Sequence, residues 1–372
     1  MRKREFILVF GMTAVLAVGG LMTVLQGQRD FSENENRYLS RFPVVRMSSV
    51  LSGEAQEDIT DAFNDQFPAR DFWTSAATRV KKAIGFHDIG GVYLGKDYYY
   101  FEKIMNQDIS QTNYFQNLRF VNRIATLCPQ ARVTAMLIPS PGTILPEKLP
   151  AHAVLYDASK MYEEAGDLLQ GVELLDIRQP MKEAEGQVYY RTDHHWTQYG
   201  AYIGYSAYSE LCGEAPRAYE DFDISHFSDS FYGTLYSKAL DMQAVPDEME
   251  LPRNLPEVTV TCDGKDIGGI YDESKKDDKD KYAVYFGGNF GEVEIAVESP
   301  KTEKRLLVIK DSFANSMIPF LLSDYEEIRM LDMRYFKKPV GEYLEEYGAD
   351  EILVLFEMSN FAQDEHLNTF AR

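Results

Sequence analysis

The sequence predicts an α/β fold: a three-layer α/β/α sandwich around a mainly parallel sheet, preceded by an N-terminal transmembrane helix. Two observations carry this. Arg2, Lys3 and Arg4 precede a run, residues 6–25, that holds no charged residue. From about residue 90 onward, short β-branched or apolar runs alternate with longer amphipathic stretches, the pattern of strands and covering helices.

The first run is about 20 residues long, just enough to span a bilayer, and its basic flank is expected to stay in the cytoplasm, which puts the rest outside. Ala14, Ala17, Gly19 and Gly20 also suit a cleaved signal, but the apolar stretch exceeds a usual signal core, which favours an anchor. Residues 1–26 are therefore expected to be flank and anchor. Residues 27–85, polar with scattered aromatics, are expected to form an extracytoplasmic stalk and docking segment. Residues 86–372 are expected to form the main domain.

Within that domain the strand candidates are 133–138, 172–177, 283–286, 306–309, 328–333 and 352–355, and the helix candidates are 114–127, 159–169, 198–211 and 316–322. Residues 213–274, rich in Asp, Glu, Pro, Tyr and Gly, break the rhythm and are expected to be an insertion beside the active face. The charged stretch 272–281 reads as a solvated turn.

The 372 residues carry a net charge of −21, which excludes a general affinity for nucleic acid and makes a neutral or weakly charged polymer an easier partner than a strongly anionic one. Cys128, Cys212 and Cys262 have no metal-type spacing; an odd count leaves at most one bridge with a leftover thiol, and isolated small core residues are the preferred reading.

Two segments can carry chemistry. In Thr192-Asp193-His194-His195-Trp196, an Asp two residues before a His can reach its Nδ1–H across a tight turn and leave Nε2 free as a base. Trp196 can wall that imidazole from water, or else is ordinary core packing. The alternatives are an Asp that caps the following helix beside two surface histidines, and a metal site, for which no further ligand of matching spacing is evident. In the second segment, residues 306–316, an apolar run ends in Asp311-Ser312 and leads into an apolar helix. Ser312 is thereby expected between a strand's carboxyl end and a helix's amino end, where free N–H groups stabilise an oxyanion. Taken alone, Ser312 or Asp311 also reads as a helix N-cap. Together the segments supply acid, base and nucleophile.

The chain resembles the DHHW proteins, related to the alginate O-acetylation proteins of the SGNH-hydrolase-like superfamily. The resemblance rests on ENRYLSRFP (35–43), DQFPARDFW (65–73), IPSPGTILPEKLP (138–150), YYRTDHHWTQYGAY (189–202), FGGN (286–289) and VIKDSFANSMIPFL (308–321). It implies a flavodoxin-like SGNH-hydrolase fold and, through the Asp-x-His-Trp and Asp-Ser-Phe pattern, Asp193, His195 and Ser312 as a catalytic triad, with His194, Trp196 and Asp311 in support. It also implies acetyl transfer onto a polysaccharide through an acetyl-serine, without metal or cofactor, with a membrane-bound acyltransferase supplying the acetyl group. Lys310 stands where such relatives more often have Gly. Gly288 and Asn289 are candidates for the oxyanion, or else an ordinary turn; Arg334 and Tyr335 are candidates for binding the glycan. An acetylesterase uses the same triad, and a non-catalytic glycan-binding scaffold needs none of it.

Overall fold

The computed structural model describes residues 3–338 and 340–367, so Arg2 of the basic flank lies outside the described residues. The chain divides into two compact units, residues 1–90 with 236–244, and residues 91–235 with 245–372.

In the first unit, helix α1 (Lys3–Leu25) contains a stretch, Glu5–Thr23, of mean hydropathy 2.2, long and apolar enough to cross a membrane. Helices α2 (Glu54–Gln66) and α3 (Arg70–Ala83) follow. The segments 35–43 and 65–73 meet here in a polar clamp. Asp65 accepts both guanidinium nitrogens of Arg37 at 2.8 and 2.6 Å, Glu35 pairs with Arg37 and Arg70, and buried Gln66 bonds the backbone of Arg29 and Ser40. The Arg37 bonds hold the Asp65 carboxyl below its ordinary value against the opposing effect of burial.

The second unit is built on an eight-stranded sheet. In chain order its strands are β1 (Arg132–Ile138), β2 (Glu173–Leu175), β5 (Val258–Cys262), β6 (Lys265–Asp266), β7 (Glu292–Val297), β8 (Arg305–Lys310), β9 (Glu327–Leu331) and β10 (Glu351–Glu357). A separate antiparallel ribbon, β3 (Ile224–Phe231) with β4 (Asp247–Pro252), precedes β5. The spatial order is β6-β5-β7-β9-β8-β10-β1-β2, parallel from β9 to β2 and antiparallel from β9 to β6.

The alternation of side chains along the central strands produces the three layers. Leu306 and Val308 of β8, with Leu353 and Leu355 of β10, face a core shared with α6 (Gln198–Leu211) and α7 (Ala314–Leu321). Leu307, Ile309, Ile352 and Val354 face the opposite core, with α4 (Gln111–Leu127), α5 (Ala158–Leu168) and α8 (Val340–Tyr347). Strands buried on both faces have no polar side to alternate with, which is why they read as continuous apolar runs.

The expected strand at 283–286 is not one. Lys281–Val284 is a 3-10 turn, and only Tyr285 makes an isolated bridge, to Tyr271. Tyr282 and Tyr285 are three apart and pack edge to face with centroids 5.2 Å apart; strand geometry would send them to opposite faces. Within 213–274, β5 belongs to the main sheet and β3–β4 form the ribbon. Residues 27–85 include α2 and α3. The three cysteines are unbridged, with Cys262 buried and the others half-buried.

Candidate active site

The turn 190–195 is closed by Tyr190 N–H donating to His195 O and is held from outside by Asp247. That fully buried carboxylate accepts Arg191 N–H, Thr192 N–H and the Thr192 hydroxyl at 2.8–2.9 Å. The geometry leaves Asp193 pointing back along its own turn. Its Oδ1 accepts His195 N–H at 3.0 Å and lies 2.6 Å from His195 Nδ1, while Oδ2 accepts Thr234 N–H at 2.7 Å. Gly233 permits this approach, because a Cβ there would stand 2.3 Å from the Asp193 side chain.

On the other side of the imidazole, His195 Nε2 lies 2.7 Å from Ser312 Oγ. Ser312 is the middle residue of the three-residue link Asp311–Phe313, after β8 and before α7, and its main-chain N–H bonds no group among the described residues. Asp311 fixes that link by accepting Phe313 N–H, Glu357 N–H and the Asn360 amide, each at 2.9 Å, and so ties the end of β8 to the end of β10. The structure thus brings Asp193, His195 and Ser312 into one hydrogen-bonded line at the carboxyl ends of the parallel strands, where open α/β sheets present their clefts.

Burial, with the neighbouring His194, lowers the proton affinity of the His195 imidazole against the pull of Asp193. Asp193 is buried too, but the two imidazoles and the bonds from His195 and Thr234 hold it well below the usual carboxylate range. A neutral imidazole facing a hydroxyl, backed by a carboxylate, can take the hydroxyl proton and share the resulting charge.

The remaining predicted residues fall into distinct positions. Trp196 does not cover His195: it is fully buried and donates Nε1–H to Phe313 O and Ser316 Oγ, pinning the start of α7. The ring stacked on His195 is Tyr282, 3.8 Å between centroids and 11° from parallel, with its hydroxyl bonding Ser312 O and Ser316 Oγ. His194 bonds Thr234 Oγ1 and lines the open pocket that contains Ser312 and Arg334. Arg334 is held there by a two-toothed pair with Asp332, and Tyr335 is half exposed with the Arg334 guanidinium 5.4 Å above its ring. Gly288 N–H is engaged by Tyr285 O within a turn, and the Asn289 carboxamide oxygen accepts from Asn315. Lys310 is buried, 2.9 Å from Asn315 Oδ1 and 3.7 Å from Asp332; burial pushes its ammonium down to about 8.

Asp193, His194 and His195 each offer a ligand atom within 4.8 Å of one another. Both carboxylate oxygens of Asp193 and both ring nitrogens of His195 are engaged in the hydrogen bonds above. Tyr282, Gly233, Thr234 and Asp247 were missed by sequence reasoning, and only the small-residue pair Gly233-Thr234 offered even a local signal.

The chain is 23% identical over 178 residues to the probable alginate O-acetylase AlgJ of Pseudomonas syringae pv. tomato. The alignment takes in 45% of each chain, so this chain matches about half the length of that curated relative. In fold it is similar to a DHHW family protein from Eubacterium siraeum, with a TM-score of 0.63 and 19% identity over 75% of this chain and 94% of the other. It is likewise similar to PatB1 of Bacillus cereus, solved with a sulfonyl adduct, with a TM-score of 0.62 and 22% identity over 75% and 97%. A family model described as DHHW protein matches residues 87–331, about two thirds of the chain and nearly all of the layered sheet, and on that match the chain belongs to the DHHW family.

Proposed function

We propose that this protein is a membrane-anchored, extracytoplasmic polysaccharide O-acetyltransferase that works through an acetyl-serine intermediate. The observation that carries this reading is the unbroken line from Asp193 Oδ1 through the His195 ring to Ser312 Oγ, with steps of 2.6 and 2.7 Å. The name of the curated relative, an O-acetylase, supports the acyl group as acetyl and a polysaccharide as its acceptor.

Ser312 Oγ attacks the acetyl carbonyl carbon as His195 Nε2 takes its proton, and Asp193 stabilises the imidazolium. The Ser312 N–H and the Arg334 guanidinium in the same pocket are the donors we assign to the oxyanion, in preference to Gly288 and Asn289. Collapse breaks the bond to the leaving group, which receives the proton from His195. A sugar hydroxyl then attacks acetyl-Ser312 with His195 again as base, and the proton returns to Ser312 Oγ.

The domain expectations fit this scheme: residues 1–26 as anchor, 27–85 linking it to the catalytic domain 86–372, and a membrane-bound acyltransferase delivering acetyl groups from the cytoplasm. The test is intact-mass spectrometry of the full chain with a chromogenic acetyl ester, with and without oligosaccharides, beside Ser312→Ala. An adduct on the wild type alone that passes to sugar supports the transferase. Loss to water alone makes the protein an acetylesterase, and no adduct leaves a glycan-binding scaffold.

A further inference from the structure

Helix α3 (Arg70–Ala83) is turned inside out. Its buried positions are Ser75 and Thr78, whose hydroxyl side chains face the interior of the first unit; Thr78 bonds Ala239 O, and Lys82 pairs with Asp241 on the same side. At 100° per residue, Phe72, Trp73, Val80 and Ile84, at the helix's end, share the opposite face with Ala76 and Ala77. Those four large side chains are 58%, 47%, 60% and 67% exposed. A water-facing helix would carry the reverse pattern, because apolar side chains gain by leaving water while hydroxyls lose little by staying in it. Arg79 and Lys81 lie at the two edges of the stripe, where cations sit on a helix lying along a phospholipid surface.

A second observation says what covers the stripe. Trp73 also lines a groove, almost wholly apolar, whose other wall is Ala14, Val15, Val18, Gly19 and Met22 of α1. The α1 stretch that these residues occupy is the one long and apolar enough to cross a membrane. Phe67 closes on Gly19 so tightly that a Cβ there would stand 2.4 Å from its ring. With α1 across a bilayer, Phe67 and Trp73 lie at the depth of residues 14–22, one to two helical turns inside its outer end at Thr23. By contrast α2 carries Glu54, Glu57, Asp58 and Asp61, side chains that belong in water.

We propose that α3 is an interfacial membrane helix, with its Phe72–Trp73–Val80–Ile84 stripe immersed in the outer leaflet beside α1. The occupant of the stripe is lipid. This rests on α1 as a membrane span and is independent of the acyl-transfer reading, so failure of either leaves the other standing.

The chain has two tryptophans, and Trp196 is fully buried, which makes Trp73 a reporter. The full chain is reconstituted into phosphatidylcholine–phosphatidylglycerol vesicles whose acyl chains are brominated near the glycerol end, and its emission is compared with that in unbrominated vesicles. Complete quenching of one of two emitters removes on the order of half the signal, as expected for a helix sunk at the acyl boundary. Trp73→Phe abolishes that loss while leaving Trp196 emission intact, and aqueous iodide scarcely quenches the wild type. The proposal is overturned if bromolipid has no effect that depends on Trp73, or if iodide quenches Trp73 freely. The latter result leaves the stripe open to water, or to a protein that the vesicles lack. Replacing Val80 and Ile84 by Ser gives a second reading: bromolipid quenching of Trp73 falls and iodide quenching rises, whereas a stripe with no lipid contact gives no change.

Discussion

Asp193→Asn is the most discriminating perturbation of the site, because it keeps the side chain's shape and removes its charge. The carboxylate serves two partners with acceptor atoms only: His195 through Oδ1 and Thr234 N–H through Oδ2. A carboxamide has one acceptor and one donor. If its oxygen faces His195, its NH2 meets the Thr234 N–H head on. If it flips, its NH2 faces Nδ1, which moves the ring proton to Nε2, where it can no longer accept a proton from Ser312.

The magnitude follows from the distance. Unit charges 2.6 Å apart interact by about 6 kcal/mol at an effective dielectric of about 20. Delocalisation over both groups and the neutral hydrogen bond that remains reduce the loss to about 3–5 kcal/mol, the usual cost of breaking a buried pair. At about 1.4 kcal/mol per decade this is a fall of roughly two to four powers of ten in the rate of Ser312 acylation. Stopped-flow release of the chromophore from an acetyl ester at pH 7, with the adduct counted by mass, measures it. Retention of acylation within about tenfold of wild type, in a variant whose melting temperature is unchanged, would refute the assignment of Asp193 as the partner of the base.

Three further outcomes are expected. Because burial and His194 lower the His195 imidazole, and only its neutral form accepts the Ser312 proton, acylation holds its plateau as pH falls past the ordinary imidazole value of about 6.5 and declines only below it. A pH–rate profile with its midpoint at or above that value contradicts this, and His194→Gln should raise the midpoint. Gly233→Ala, whose new methyl would collide with Asp193, should slow acylation by about tenfold or more while costing about 1–3 kcal/mol in urea unfolding; an unaffected rate means that Asp193 is free to move. Lys310, buried and titrating at about 8 when folded but near 10.5 when unfolded, leaves the folded state with fewer bound protons between those values. Stability relative to Lys310→Met should therefore rise by about 2 kcal/mol from pH 8 to pH 10, and a flat difference shows that the ammonium keeps its ordinary affinity.

What the sequence displayed and what it hid differ in range. β8 was legible because burial on both faces leaves the continuous run Leu306-Leu307-Val308-Ile309, and α6 was legible to its ends because Thr197 caps it and the period holds. The Asp193–His195 relation was legible because it closes within one turn. β5 and β7 were not. They are antiparallel strands, each paired on both sides, that mix charged or polar positions such as Glu292, Glu294 and Thr259 with apolar ones, and β5 follows a long polar segment. Tyr282 lies 87 positions from the ring it stacks on and Thr234 lies 41 from Asp193. Nothing periodic connects residues that meet only through the packing of the sheet.

The segments that carry the family resemblance also divide: those at 189–202 and 308–321 lie inside the family match and hold the candidate chemistry, and those at 35–43 and 65–73 lie outside both. The segments around Glu35, Asp65 and Arg70 form an ion clamp in the first unit and hold no part of the Ser312 line. The family match begins at residue 87, after that clamp, and is spread over a sheet whose apolar strands would be retained in a protein that had lost its nucleophile. Belonging to the family therefore constrains the fold more strongly than the reaction. What bears on the reaction is the convergence of two short segments 117 residues apart, with His195 Nε2 2.7 Å from Ser312 Oγ and Tyr282 stacked on the ring between Asp193 and Ser312. Packing alone does not require a buried histidine and carboxylate there. Desolvating them costs several kcal/mol that an apolar pair of the same volume would avoid, and that cost is what supports the proton transfer proposed for them.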